Sequence, residues 1–270
     1  MDLGIKGKTA VITGGDSGIG FETAKKLIDE DVIIILSDLK KDELEKAEKE
    51  LLVYNKEAKI ASKACDLNDN TQVKDFAKWV ADNYGGADIL VNSAGARGAA
   101  GDFLKLTDED WLETIQIDLM GAVRISRAFI PQMQAKKWGR MVMVSSENAF
   151  QPYVDESPYN ACKAAIINLS KCLSRKYGEE GILVNTVSPA FIETPMTDAM
   201  MEQLAEDRNT DIDSAVEWFL QNERPHLTAK RRGKPEEVAS VISFLCSEKA
   251  SYVNGSNYRV DSGAVESAFG

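Results

Sequence analysis

Short apolar runs separated by stretches of helical periodicity restrict the fold of this chain more than any other feature. Runs of strand length occupy residues 9–13, 32–38, 60–66, 89–92, 141–145, 183–188 and 258–261. Between them, residues 21–29, 41–54, 71–83, 108–136, 158–177 and 235–246 carry apolar side chains at helical spacing. The runs do not alternate apolar with polar residues, which is the pattern of strands covered on both faces. A mostly parallel sheet wrapped by helices on both faces is therefore predicted, in one α/β domain over residues 1–270. Nothing in the 270 residues reads as a linker, and a 44% hydrophobic share supplies ample material for one core.

The first run leads into Thr13-Gly14-Gly15-Asp16-Ser17-Gly18-Ile19-Gly20, and a helical pattern follows. A glycine cluster between strand and helix lets the backbone turn tightly and approach a pyrophosphate. The helix N-terminus then offers that anion free N–H groups and a favourable dipole. Asp38, followed by Leu39, closes the second run eighteen residues after Gly20. A carboxylate there accepts hydrogen bonds from the adenosine ribose hydroxyls and repels a 2′-phosphate. Ser17 adds no compensating cation, so NAD is favoured over NADP. Lys40 and Lys41 argue the other way, but read most simply as the solvated first turn of the next helix.

Tyr159 and Lys163 stand four residues apart in a helical stretch and share one face. An ammonium beside a phenol favours the phenolate, whose ordinary pKa is about 10. Ser146, thirteen residues before Tyr159, ends an apolar run, where its hydroxyl can hold a substrate oxygen. The Tyr-x-x-x-Lys spacing alone also describes many solvated surface pairs. Joined to the glycine turn and Ser146, it predicts an acid/base, a pKa modulator and an oxygen anchor. The expected chemistry is nicotinamide-dependent interconversion of a small secondary alcohol and its ketone. A second reading keeps the fold and cofactor but makes the chain a catalytically weak nucleotide-binding scaffold or redox-sensing protein.

Formal charge is −11, from 32 basic and 43 acidic side chains, which argues against nucleic acid or an anionic membrane as a partner. The longest apolar runs are too short to span a bilayer, and the N-terminus runs straight into a strand without signal-peptide character, so a cytoplasmic location is expected. The cysteines Cys65, Cys162, Cys172 and Cys246 form no Cys-x-x-Cys pair and His226 is the single histidine, so no metal site is expected. Residues 197–224 are acidic yet carry Met200, Met201, Leu204, Val216, Trp218 and Phe219. Two readings stand for the segment at about 191–226: a helical lid closing over substrate, or a surface or subunit-packing insertion. Near the motifs, Ala96, Arg97, Glu147, Asn148, Gln151, Tyr153 and Phe191 are candidates to line the substrate pocket. Glu147, Asn148 and Gln151 suit a polar or polyhydroxyl substrate, whereas Phe150, Tyr153, Met196 and Met200 suit an apolar ring or chain.

With these residues in place, the chain resembles the short-chain dehydrogenase/reductase family over essentially its whole length. Thr13-Gly14-x-x-x-Gly18-Ile19-Gly20 is similar to the family's cofactor turn, Cys65-Asp66-Leu67 to its adenine-contacting segment, and Asn92-Ser93-Ala94-Gly95 to its Asn-Asn-Ala-Gly motif. Ser146, Tyr159 and Lys163 match its catalytic positions. The segment from Ser188 through Pro189 to Thr194 resembles the loop that holds the nicotinamide carboxamide, through backbone groups near Ile192 and the Thr194 hydroxyl. The resemblance implies a single Rossmann-type doubly wound domain and a homotetramer or homodimer that packs helices 108–136 and 158–177 against symmetry mates. Three positions depart from the family's pattern. Ser93 replaces an asparagine, and Ala190 replaces a glycine, which would be strained by about 1 kcal/mol if its φ were positive. Asp118 stands where the family has an asparagine, and its charge is expected to hold Lys163 as a cation.

Overall fold

Buried strands of Val, Ile and Leu pair directly with one another, and the amphipathic helices between them cover both faces of the sheet they form. In the computed structural model, residues 2–268 are described; Met1, Phe269 and Gly270, the edges of the expected 1–270 domain, lie outside the described residues. The strands are β1 (Thr9–Thr13), β2 (Ile33–Ser37), β3 (Ile60–Ser62), β4 (Ile89–Asn92), β5 (Gly139–Val144), β6 (Ile182–Pro189) and β7 (Asn257–Val260). They form one seven-stranded sheet in the order β3-β2-β1-β4-β5-β6-β7, parallel throughout. The strand order reverses between β1 and β4, and in such sheets ligands bind outside the carboxyl ends of the strands at that point.

Side chains along β1 divide between two cores with a period of two. Ala10 and Ile12 face α1 (Gly18–Ile28), α2 (Lys41–Tyr54) and α9 (Pro235–Leu245), whereas Val11 faces α3 (Asn70–Tyr84), α5 (Gly121–Lys136) and α6 (Ser157–Tyr177). Leu27, Ile34, Leu36 and Ile242 are fully enclosed on the first face, and Phe76, Phe129 and Leu90 on the second. Each such side chain contributes roughly 1.5–3 kcal/mol by leaving water.

Two elements differ from the sequence expectation. The run at 60–66 contributes only three residues of ladder, as β3, an edge strand that pairs with β2 alone. Beyond Ser62, the N–H groups of Lys63 and Cys65 still reach the carbonyls of Leu36 and Asp38, at 3.0 and 2.9 Å. The helical stretch 108–136 is divided into α4 (Asp108–Thr114), a π-helical segment Ile115–Met120, and α5. The wider turn brings Ile117 and the buried Asp118 to the interior side, as π-bulges at functional sites do.

Residues 195–222 form two further helices, α7 (Pro195–Arg208) and α8 (Ile212–Asn222). Together with neighbouring segments they enclose a small apolar core of Phe191, Met201, Phe219, Leu220, Leu227 and Ala264, with the Phe191 and Phe219 rings 4.7 Å apart. Arg232 ties the start of α7 to the segment before α9, through Thr197 and, at 2.7 Å, Asp198. Among the described residues no helix is long and apolar enough to cross a membrane.

Candidate active site

All seven strands end on one edge of the sheet, and a cavity of about 540 Å³ lies along it from Asp38 to Tyr159. Its floor is the turn from Thr13 through Gly14, Asp16, Ser17 and Gly18 to Ile19. Two glycines there are required by space. A Cβ on Gly20 would lie 2.0 Å from the Gly14 carbonyl oxygen, and one on Gly14, whose φ is +65°, would lie 2.7 Å from the Ala94 nitrogen. Gly20 therefore sits beneath the cavity, tightening the turn rather than lining it. Ser17 at the α1 N-cap makes no side-chain cap bond, which leaves first-turn N–H groups of α1 available to an anion. The Thr13 hydroxyl donates to Asn92 Oδ1 at 2.9 Å and accepts from the Ala94 N–H at 3.3 Å. Asn92 thus acts as a clamp between β1 and β4, while Ala94 and Gly95 form the wall. A cradle that any Cβ would fill, next to an open helix N-terminus, fits a dinucleotide pyrophosphate.

Asp38, Leu39, Asp66 and Leu67 enclose one end of the cavity. Burial pushes the Asp38 carboxyl up to about 6; the Leu39 N–H, donating at 2.6 Å, and Lys40 pull it down, while neighbouring Asp16 pushes it further up. The pairing of Asp16 with Asp38 carries no signal in the sequence, where Asp16 reads as a turn residue. Lys41 is exposed and pairs with Glu45 at 3.5 Å, one turn along α2.

At the other end Ser146, Tyr159 and Lys163 meet. The Ser145 hydroxyl donates to the Lys163 carbonyl at 2.8 Å, joining the end of β5 to α6. Lys163 Nζ lies 5.2 Å from the centre of the Tyr159 ring and 3.2 Å from Asp118 Oδ1, with both side chains of that ion pair buried. Asp118 Oδ1 also accepts the Ala96 N–H at 3.2 Å, and its Oδ2 has no hydrogen-bond partner. Asp118 stands behind Lys163, not in the cavity wall. Burial opposes the Lys163 ammonium, but Asp118 and Tyr159 outweigh it and hold its pKa above the ordinary value. For Tyr159 burial raises the pKa; Lys163 and the Ser146 hydrogen bond lower it, while Asp118 and Glu147 add to the rise. The lysine alone favours the phenolate as its spacing predicts, yet burial prevails.

Pro189, Ala190, Ile192 and Thr194 close the cavity from β6 onward. Thr194 caps α7, accepting the Thr197 N–H. Ala190 does not adopt positive φ, so the strain conceivable for it is absent. Of the residues considered for a substrate pocket, Ala96 and Met196 line the cavity. Arg97 instead forms a surface pair with Glu156 at 3.4 Å, and Gln151 accepts the Glu266 N–H. Phe191 and Met201 are buried in the α7–α8 core, away from the cavity wall. Glu147, Asn148 and Tyr153 lie behind Ser146, where Arg224 joins them. Cys65 lines the cavity beside Asp66 and Leu67, as the resemblance implies, and Ile117, Asn68 and Thr197 line it without a signal in the sequence.

Residues 14–265 match the family model described as enoyl-(acyl carrier protein) reductase. An uncharacterised oxidoreductase of Bacillus subtilis, YvrD, is 33% identical over 99% of this chain and 100% of its own length. The 3-oxoacyl-[acyl-carrier-protein] reductase FabG of Thermotoga maritima is 33% identical, over 97% of this chain and 99% of that one. The chain belongs to the short-chain dehydrogenase/reductase family. Among solved structures of this family, L-sorbose reductase from Gluconobacter frateurii, complexed with NADPH and L-sorbose, superimposes with a TM-score of 0.93. It is 35% identical, and the match covers 99% of this chain and 100% of that one. The protein is thus an oxidoreductase with a nicotinamide-binding Rossmann-type fold.

Proposed function

We propose that this short-chain dehydrogenase/reductase uses NAD to interconvert a secondary alcohol and its ketone, with residues 1–270 acting as one cofactor-binding and catalytic domain. One observation carries the reading: Ser146, Tyr159 and Lys163 converge at one end of a cavity whose other end holds Asp38. A bound nicotinamide supplies or accepts the hydride. Tyr159 takes the alcohol proton in oxidation and returns it in reduction. Ser146 fixes the substrate oxygen, and Lys163, held cationic by Asp118, favours the Tyr159 phenolate. A site built around an oxygen atom in this way supports reaction at a C–O bond and not at the C=C bond of an enoyl substrate.

The substrate proposed is a small polar hydroxy ketone or polyol, a choice supported by the likeness to L-sorbose reductase. The likeness to FabG supports a second class, 3-oxoacyl thioesters. The segment at 191–226 serves as a substrate lid, supported by Met196 at the cavity wall and by the Arg232 contacts that hold α7. Exposed Phe103, Leu104 and Leu112 near α4 support self-association as a homotetramer or homodimer. The absence of a long apolar helix among the described residues is consistent with work in the cytoplasm.

Titration with NADH and NADPH by fluorescence, followed by a panel of alcohols and ketones, tests the whole reading. Cofactor binding without turnover of any member favours the scaffold alternative. The NAD preference rests on Asp16 and Asp38 together, because a 2′-phosphate brought to this end would meet two carboxylates. Replacing both, as Asp16→Asn with Asp38→Asn, is expected to narrow the ratio of NADPH to NADH dissociation constants about tenfold or more. An unchanged ratio removes the acidic pair from cofactor selection.

Asp118 raises the pKa values of both Lys163 and Tyr159. Removing its charge lowers the pKa of the phenol, so the phenolate forms at lower pH. In Asp118→Asn the rising limb of alcohol oxidation is expected to move about one pH unit toward acid. Superimposable pH–rate curves for variant and parent would show that the Asp118 charge has no part in tuning the site.

A further inference from the structure

Behind Ser146 lies a buried polar cluster that the reaction scheme above does not use. Ser146 Oγ has two acceptors at 3.0 Å, Glu147 Oε2 and Asn148 Oδ1, and itself accepts the Asn148 N–H at 3.2 Å. The Asn148 amide is fixed by donating to Glu156 and Asn160, both at 2.8 Å, so its oxygen faces the serine. The opposite oxygen of Glu147, Oε1, faces donors: the Tyr153 hydroxyl at 3.4 Å and Arg224 Nε at 3.8 Å. Arg224 comes from beyond α8, is buried, and stacks on the Tyr153 ring 3.3 Å from its centre. Its Nε makes no hydrogen bond. A carboxylate and a guanidinium are thus enclosed directly behind the hydroxyl that meets the substrate.

We propose that Glu147 is a positioning residue that governs whether the Ser146 hydroxyl proton is available to the substrate oxygen, with Arg224 setting the charge state of Glu147. The proposal rests on the assignment of Ser146 to the substrate oxygen. When Glu147 is ionised, both acceptors of Ser146 compete for its single proton, and the charged one binds it more strongly. The serine then meets the substrate with a lone pair. When Glu147 is protonated it donates to Ser146 Oγ, and the neutral Asn148 Oδ1 is left as the one competing acceptor, against which the developing negative charge on the substrate oxygen draws the serine proton more strongly. The same transition state is crossed in both directions, so both are faster with Glu147 protonated. The charged and titratable groups around Glu147 are Arg224 after α8, Glu156 at the start of α6, Tyr153, and Tyr159 on α6, with Arg97 pairing with Glu156. Burial pushes the Glu147 carboxyl up to about 7, against the pull of Arg224 and the Ser146 hydrogen bond, and Glu156 adds to the rise. The switch therefore operates near neutral pH.

The experiment is the pH profile of kcat/KM for NADH-linked reduction of acetoin, L-sorbose or a 3-oxoacyl thioester, whichever is fastest, in parent, Glu147→Gln and Arg224→Met. In Glu147→Gln, Tyr153 and Arg224 hold the amide oxygen on their side, so the amide nitrogen permanently donates to Ser146 as the protonated acid does. The parent is expected to lose activity as pH rises through about 7, with the limb absent in Glu147→Gln. On the alkaline side the variant is expected to exceed the parent about three- to tenfold. In Arg224→Met the limb is expected to move to higher pH, because Arg224 lowers the Glu147 pKa. Thermal unfolding and NADH affinity confirm that each variant is folded, and if Glu147→Gln does not fold, the Arg224→Met limb decides alone. Profiles of Glu147→Gln or Arg224→Met that superimpose on the parent overturn the proposal. Ser146→Ala and Tyr159→Phe are run beside them. Full activity in these variants, or no turnover of any probe by the parent, overturns the reaction assignment together with the proposal.

Discussion

Tyr159→Phe is expected to lower kcat for alcohol oxidation by roughly 10²–10⁴-fold, the usual contribution of a positioned general acid or base. The aromatic ring remains as packing, so the Phe variant keeps the shape of the α6 face and loses only the proton-carrying oxygen. NADH affinity is expected to stay within about twofold of the parent, since the ring carries no charge that the cofactor requires. The Lys163–Asp118 pair, at 3.2 Å, does not depend on the tyrosine hydroxyl and should persist. Steady-state kinetics with NAD, paired with fluorescence titration of NADH, separate the two effects. Parent-like kcat would remove Tyr159 from the chemistry. A joint loss of turnover and binding would mean that the substitution disturbs the cavity as a whole.

Gly20→Ala is expected to abolish measurable dinucleotide binding, weakening NADH by about 100-fold or more while the chain still folds. The reason is purely spatial: the added methyl would stand 2.0 Å from the Gly14 carbonyl oxygen, far inside contact distance. To make room, the turn must open, and the α1 N-terminus moves away from the position where it faces a pyrophosphate. Gly7→Ala is the control. Gly7 has positive φ but open space around its absent side chain, so alanine there should cost about 1 kcal/mol of stability and leave binding unchanged. Isothermal titration with NADH and thermal unfolding of both variants distinguish a lost site from a lost fold. Tight NADH binding by Gly20→Ala would contradict the backbone geometry of the turn.

Much of the architecture follows from short-range rules visible in the chain. The limits of β1 and β4 coincide with their apolar runs because buried parallel strands require uninterrupted Val, Ile and Leu. The limits of α2 likewise coincide with a single stretch of helical periodicity. Where the expectation failed, the cause was a partner or a turn width that periodicity does not encode. β3 leaves the regular ladder after Ser62, and beyond it only the Lys63 and Cys65 N–H groups still bond the end of β2, a pairing that the apolar run does not encode. The π-helical segment within 108–136 leaves no mark in the sequence, because one wider turn still repeats apolar residues at nearly helical spacing. In α7 and α8 the sequence does not say which apolar side chains turn inward: Met201 and Phe219 pack in a local core, whereas Met196 lines the cavity.

The glycine turn, Asp38, Ser146, Tyr159 and Lys163 were legible in the sequence, since each has a fixed place relative to a strand end or a helical turn. Residue order alone thus determined a parallel α/β sheet and the set of groups brought to its carboxyl edge. Tertiary structure decided how those groups are charged. Burial raises Tyr159 against the pull of Lys163, Asp16 after β1 approaches Asp38 at the end of neighbouring β2, and Arg224 reaches Glu147 from beyond α8. Solvent exclusion and charge proximity depend on distances through space, and those arise only when segments remote in the chain pack together.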